Sequence, residues 1–223
     1  MNSDRYSLYI HKHRFACWCA ATAASQVKTF RFSVETGRKL IELGAGQHEP
    51  PDENKFLKTI RSIQVFTAQS QFDDWHATVI ENMLGNSNLQ GVLDEENKRK
   101  QKTKATFILD QSNFTYGIAA KLLNCYLKAF YLESLDSGFG SLIHPPIDRL
   151  LFQGLVERDK GREFFDFQKF VDERHLSGYP KLPAWTSLDE TAYKAIISKV
   201  KLYLEALGSE SLWQIEEAWK GHQ

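Results

Sequence analysis

Two side chains in this sequence have the type and setting to do chemistry on carbon. Lys121 lies in Tyr116-Gly-Ile-Ala-Ala-Lys-Leu-Leu-Asn124, and Asp148 in Ile143-His-Pro-Pro-Ile-Asp-Arg-Leu-Leu. A lysine amine attacks electrophilic carbon once it has lost its proton, and desolvation in a cleft promotes that loss. An ionised carboxylate stabilises a developing cation, such as a sugar carbon losing its substituent. The two residues are 27 positions apart, so only a tertiary fold can bring them together. Each also has a purely structural account. Lys121, Asn124 and Lys128 form one stripe of a helix, opposite Leu122, Leu123, Tyr126, Leu127 and Phe130, and such a stripe faces either water or a cleft. Pro145 and Pro146 suit a helix start, which places Asp148 in the first turn. An acidic residue there complements the helix dipole with or without catalysis.

The elements that must position this pair are helical. Phe15, Trp18, Cys19 and Thr22 recur at three- and four-residue steps, predicting a helix over 13–26. Ser33 reads as an N-cap for a helix that stops at Gly44, and Pro50-Pro51-Asp52 opens another carrying Phe56, Ile60 and Ile63. Trp75, Val79, Ile80 and Met83 continue the pattern to Gly85. Further helices are expected near 93–104, 117–132, 146–157, 164–175, 189–207 and 210–219. No alternating run is long enough for a sheet; the strand-like fragments are short, such as Phe107-Ile-Leu. The expectation is an all-α, compact multi-helix globule, one domain over 1–223. Lobes over 1–88 and 89–223 can flank a cleft, with a hairpin-like element near 105–130.

Composition bounds the partners. The 223 residues are 42% hydrophobic and 25% charged, as in an ordinary globular protein. Lys plus Arg and Asp plus Glu both number 28, so no global basic field points to nucleic acid, and any such partner needs a local patch. Lys98, Arg99, Lys100, Lys102 and Lys104 supply one, five cations within seven residues; a solvated charge run is the plainer account. Three cysteines make no disulfide framework and fit a reducing compartment. The first residues lack a hydrophobic leader core and no apolar run reaches ~18 residues, so a cytoplasmic protein without a membrane partner is expected. A monomer is the simplest expectation.

Gly117-Ile118-x-x-Lys121-x-x-Asn124, with Leu127 and Phe130, followed by Ile147-Asp148-Arg149, resembles the helix-hairpin-helix DNA glycosylase superfamily. The likeness is to its endonuclease III and archaeal 8-oxoguanine glycosylase branches and covers about 40 residues. It departs at the hairpin turn, where Phe114-Thr-Tyr-Gly117 replaces the usual proline-glycine turn. The resemblance implies a base-excision enzyme acting on duplex DNA with an extruded nucleotide, in repair of host DNA or attack on modified phage DNA. Asp148 would support the oxocarbenium ion, and Lys121 would be the amine that attacks the anomeric carbon, with a Schiff-base lyase step open. Gly117, Asn124, Lys128, Arg149, Gln26, His13 and Arg14, together with the basic run, become the DNA-binding set. Tyr116, Phe114, Trp18 and His144 become the base pocket. No cofactor is implied, since the chain lacks a four-cysteine iron–sulfur motif.

Other chemistry is thinner. His11-x-His13 and Cys17-x-Cys19 do not match zinc spacings, so no metal is expected. Arg5 and His11, with five residues between them, have the bare Arg-x(4–6)-His spacing that resembles HEPN-type all-α ribonucleases. A third reading is a non-enzymatic helical interaction protein of a bacterial stress or defence module.

Overall fold

A computed structural model of the chain describes residues 7–25, 32–101, 109–136, 138–160, 163–167, 182–209 and 211–220. Among these, every regular element is a helix or a 3-10 turn. The chain is all-α and compactly packed. The α-helices are α1 (Leu8–Ala23), α2 (Val34–Leu43), α3 (Glu53–Arg61), α4 (Gln69–Gly85), α5 (Leu89–Gln101), α6 (Tyr116–Phe130), α7 (Arg149–Arg158) and α8 (Glu190–Ala206).

Local chemistry sets most boundaries. Ser7, Ser33, Asp52, Thr115, Asp148 and Asp189 are N-caps whose side chains accept a backbone N–H of the first turn. Ser7 starts α1 five residues earlier than the apolar period alone predicts. The Pro145–Pro146 segment is extended, and α7 begins only at Arg149. Asp148 is therefore the cap of that helix rather than a member of its first turn. The segment expected as a helix over 210–219 is a 3-10 turn, Leu212–Ala218. Most of 164–175 lies outside the described residues, as do Phe107 and Ile108.

The core forms one cluster from Ala16 to Ala218, and α6 runs through it. All but two of its residues are buried, and α1, α2, α4, α8 and the Trp185–Ser187 turn pack around it. Two glycines permit close approaches that position the site. A Cβ on Gly117 would lie 1.9 Å from the Trp185 carbonyl oxygen, and one on Gly154 would lie 1.6 Å from that of Ala218. These contacts seat the Trp185–Ser187 turn on the start of α6 and the terminal 3-10 turn on α7. Both turns bring residues to the same place.

Candidate active site

The N-terminus of α6 is tied to the segment before α8. Thr115 Oγ1 donates to Thr186 O at 2.8 Å, and Gly117 N–H donates to Leu188 O at 2.9 Å. The indole of Trp185 thus lies 4.3 Å, centroid to Nζ, from Lys121. The same ammonium is 3.3 Å from Asp148 Oδ2. Both side chains are largely withdrawn from water, 8% exposed for Lys121 and 15% for Asp148. Asp148 is oriented by two further donors on its other oxygen: Leu151 N–H at 2.9 Å and Trp219 Nε1–H at 3.1 Å. Fixed N–H dipoles aimed at one carboxylate stabilise its negative charge. The 27-residue separation therefore closes into a direct ion pair held from four elements.

The pair faces a cleft of about 450 Å³. Phe15 and Cys19 of α1 form one side, Cys125 and Lys128 of α6 the floor, and Pro146 and Trp219 the far wall. Lys128 makes a second ion pair, with Glu216. The two lysines of the floor are thus each matched by a carboxylate. The thiols are not the reactive groups. Burial pushes Cys125 up to about 12 against the opposing pull of Lys121, and burial also raises Cys19. Protonated thiols are poor nucleophiles, which leaves an amine and a carboxylate as the chemistry of the cleft.

Several residues expected at the DNA surface are elsewhere. His13 is fully buried, its Nδ1 2.8 Å from the Tyr126 hydroxyl and its Nε2 3.2 Å from Glu42, so a phosphate contact is corrected to a core network. Asn124 is likewise fully buried: Nδ2 donates to Pro145 O and to the Tyr193 hydroxyl, both at 2.9 Å, and Oδ1 accepts from His76. It holds the loop that delivers Asp148 rather than DNA. Gly117 serves the close approach to Trp185, not a phosphate-binding hairpin. The base-pocket set is corrected in three members. Phe114 is core, packed against Phe32, whereas Tyr116 and His144 line a different cavity on the other flank of α6.

Trp18 remains at the surface, 51% exposed, its ring 5.9 Å from that of the equally exposed Phe15. Arg14 and Arg149 are exposed, Arg14 in a two-pronged pair with Glu53. Lys128 lies inside the cleft. In the basic run, Lys98 is exposed, Arg99 is held by Glu35 and Ser33 at 2.6 Å each, and Lys100 is partly buried with its pKa lowered by that burial. Lys102, Lys104 and Gln26 lie outside the described residues, as does Arg5; His11 is exposed on α1. Among the described residues no three His, Cys, Asp or Glu side chains gather as a metal site, and no helix is long and apolar enough to cross a membrane.

Sequence reasoning missed Trp185, Glu216 and the contact of Trp219 with Asp148; Trp219 also packs against the core. None carries a local signal, because Trp185 reaches Lys121, and Glu216 and Trp219 reach the cleft, through tertiary contacts. Compared with protein-family models, curated proteins and solved structures, the chain matches none of them.

Proposed function

We propose that this protein is a DNA glycosylase that extrudes a damaged or modified nucleotide and severs its base in the Lys121–Asp148 cleft. The observation that carries the reading is the 3.3 Å meeting of this amine and carboxylate in a cleft lined by apolar and aromatic side chains. Its 450 Å³ falls within the ~300–1,000 Å³ of ligand sites, enough for one flipped nucleoside. Low water access strengthens electrostatic stabilisation of charge that develops inside.

In this scheme the base departs with the glycosidic electron pair, and positive charge grows on C1′ and the ring oxygen. Asp148, already oriented by Leu151 and Trp219, stabilises that charge. Lys121 must surrender a proton before its nitrogen can bond to C1′, and Asp148 Oδ2 is the acceptor within reach. The face of Trp185 lies against this amine, 4.3 Å from ring centroid to Nζ. Base release led by Asp148 comes first: water adds to C1′ as the bond to the base breaks, its proton passing to the departing base, and the abasic site so formed is where any lysine-dependent strand cleavage follows.

The test is incubation with a panel of damaged and modified duplexes, then alkali to reveal abasic sites. Strand breaks with the wild type and none with Asp148→Asn are expected. Breaks that persist undiminished in a folded Asp148→Asn protein, or a complete absence of breaks across the panel, would sink the proposal.

A further inference from the structure

A second cavity, of about 260 Å³, opens between α4, α6 and α8. Its inner wall is made by His76, Tyr116, His144 and Tyr193, and Asp74 and Lys201 stand at its rim. The imidazole of His76 stacks on Tyr193 with centroids 5.6 Å apart and planes 11° apart, and Tyr116 leans on the same ring at 5.4 Å.

Most polar atoms of this wall are committed. Asn124 Nδ2 donates to the Tyr193 oxygen; the Tyr193 O–H is 3.1 Å from His144 Nδ1, and His144 Nε2–H donates to Asp73 at 2.9 Å. Two atoms are not committed. Tyr116 is only 6% exposed, yet its hydroxyl has no hydrogen-bond partner among the described residues. His76 spends Nε2–H on Asn124 Oδ1 at 2.7 Å, which leaves Nδ1 as a lone pair without a partner among the described residues. Burial first, and then His144, hold His76 well below the usual imidazole value, so Nδ1 stays an acceptor at neutral pH. A donor and an acceptor open to one cavity match the edge of a planar heterocycle.

We infer that this cavity binds a nucleoside with an amino-substituted base, the base accepting from the Tyr116 hydroxyl and donating to His76 Nδ1. Aromatic walls suit a flat ring. Asp74, exposed at the rim, can accept from sugar hydroxyls. The rim ammoniums already have carboxylate partners, Lys201 with Asp73 at 2.6 Å and Lys194 with Glu190 at 2.5 Å, which lowers their worth to a phosphate and favours a nucleoside over a nucleotide. The volume, just under the ~300 Å³ lower bound of drug-sized sites, agrees with so small a ligand. The inference stands apart from base excision, since Lys121 and Asp148 line the other cleft.

Calorimetric titration of the full chain with cytidine, adenosine, uridine and cytidine 5′-monophosphate tests it. Cytidine or adenosine should bind with Kd below about 1 mM. Tyr116→Phe, which removes only the unpaired hydroxyl, should weaken that binding about tenfold at unchanged Tm. Uridine, which presents no amino group, should bind about tenfold more weakly than cytidine, and the monophosphate no better than cytidine. Asp148→Asn should leave the affinities untouched while abolishing excision. No heat with any nucleoside, equal affinity for cytidine and uridine, indifference to Tyr116→Phe, or loss of binding in Asp148→Asn would each overturn the assignment.

Discussion

At the scale of single residues, the cleft depends on how Asp148 divides its two oxygens. Oδ1 takes N–H donors from α7 and Trp219, and Oδ2 faces Lys121. Asp148→Asn keeps a capping oxygen but removes the charge, and electrostatic contributions of this kind are worth about 10²–10³ in rate. Excision should fall by that factor in single-turnover assays. The substitution also leaves a withdrawn ammonium facing a neutral amide, so stability should drop too, and denaturation must be measured on the same preparation. Lys121→Met keeps the aliphatic stem beneath Trp185. Borohydride trapping on a susceptible duplex should vanish while alkali-revealed abasic sites persist; trapping that survives would exclude this amine.

At the scale of elements, two turns without helical length do the positioning. The Trp185–Ser187 turn is seated on Gly117, where an added methyl would meet a backbone oxygen at 1.9 Å. Gly117→Ala should therefore cost about 1–3 kcal/mol, read as a Tm lower by roughly 2–4 °C per kcal/mol for a chain of this size. An unchanged Tm would mean that α6 and the turn separate without penalty. The terminal 3-10 turn reaches Asp148 through the Trp219 indole N–H. Trp219→Phe keeps the aromatic wall and deletes that donor. Excision should decline about tenfold, in keeping with one charge-assisted hydrogen bond, with Tm nearly constant.

At the scale of the whole molecule, the buried network beside α6 links stability to pH. His76 and His144 lie below the ordinary imidazole value, in both cases chiefly through burial, so the unfolded chain binds more protons than the folded one as pH falls below about 6.5. Burial alone would raise Asp73, but hydrogen bonds from His144, Lys201 and Gln69 outweigh it and hold the carboxyl low, adding a second loss below about pH 4. Stability should thus decline from pH 7 toward pH 5 and again below 4. Urea midpoints that stay flat from pH 7 to 5 would contradict the neutral burial of these imidazoles. Salt provides the other global readout. Arg99 is occupied by Glu35 and Ser33, so exposed Lys98 and Arg149 are the better candidates for phosphates. Neutralising either should reduce the slope of log K against log salt by about one, equally for all DNA sequences.

The amino-acid order by itself determined the helical class and the starts of α2, α3, α6 and α8 to within a residue, because apolar period and capping side chains act within a few residues. It also singled out Lys121 and Asp148, whose neighbours Asn124 and Pro145–Pro146 are local features. Only the tertiary structure decided that the two meet, that Asn124 and His13 are interior network residues, and that Tyr116 and His144 belong to a separate cavity. A stripe on a helix wheel says which residues share a face but not what lies opposite. That choice rests on close approaches such as Gly117 to Trp185 and on hydrogen bonds such as Asn124 to Pro145, made between segments far apart in the chain.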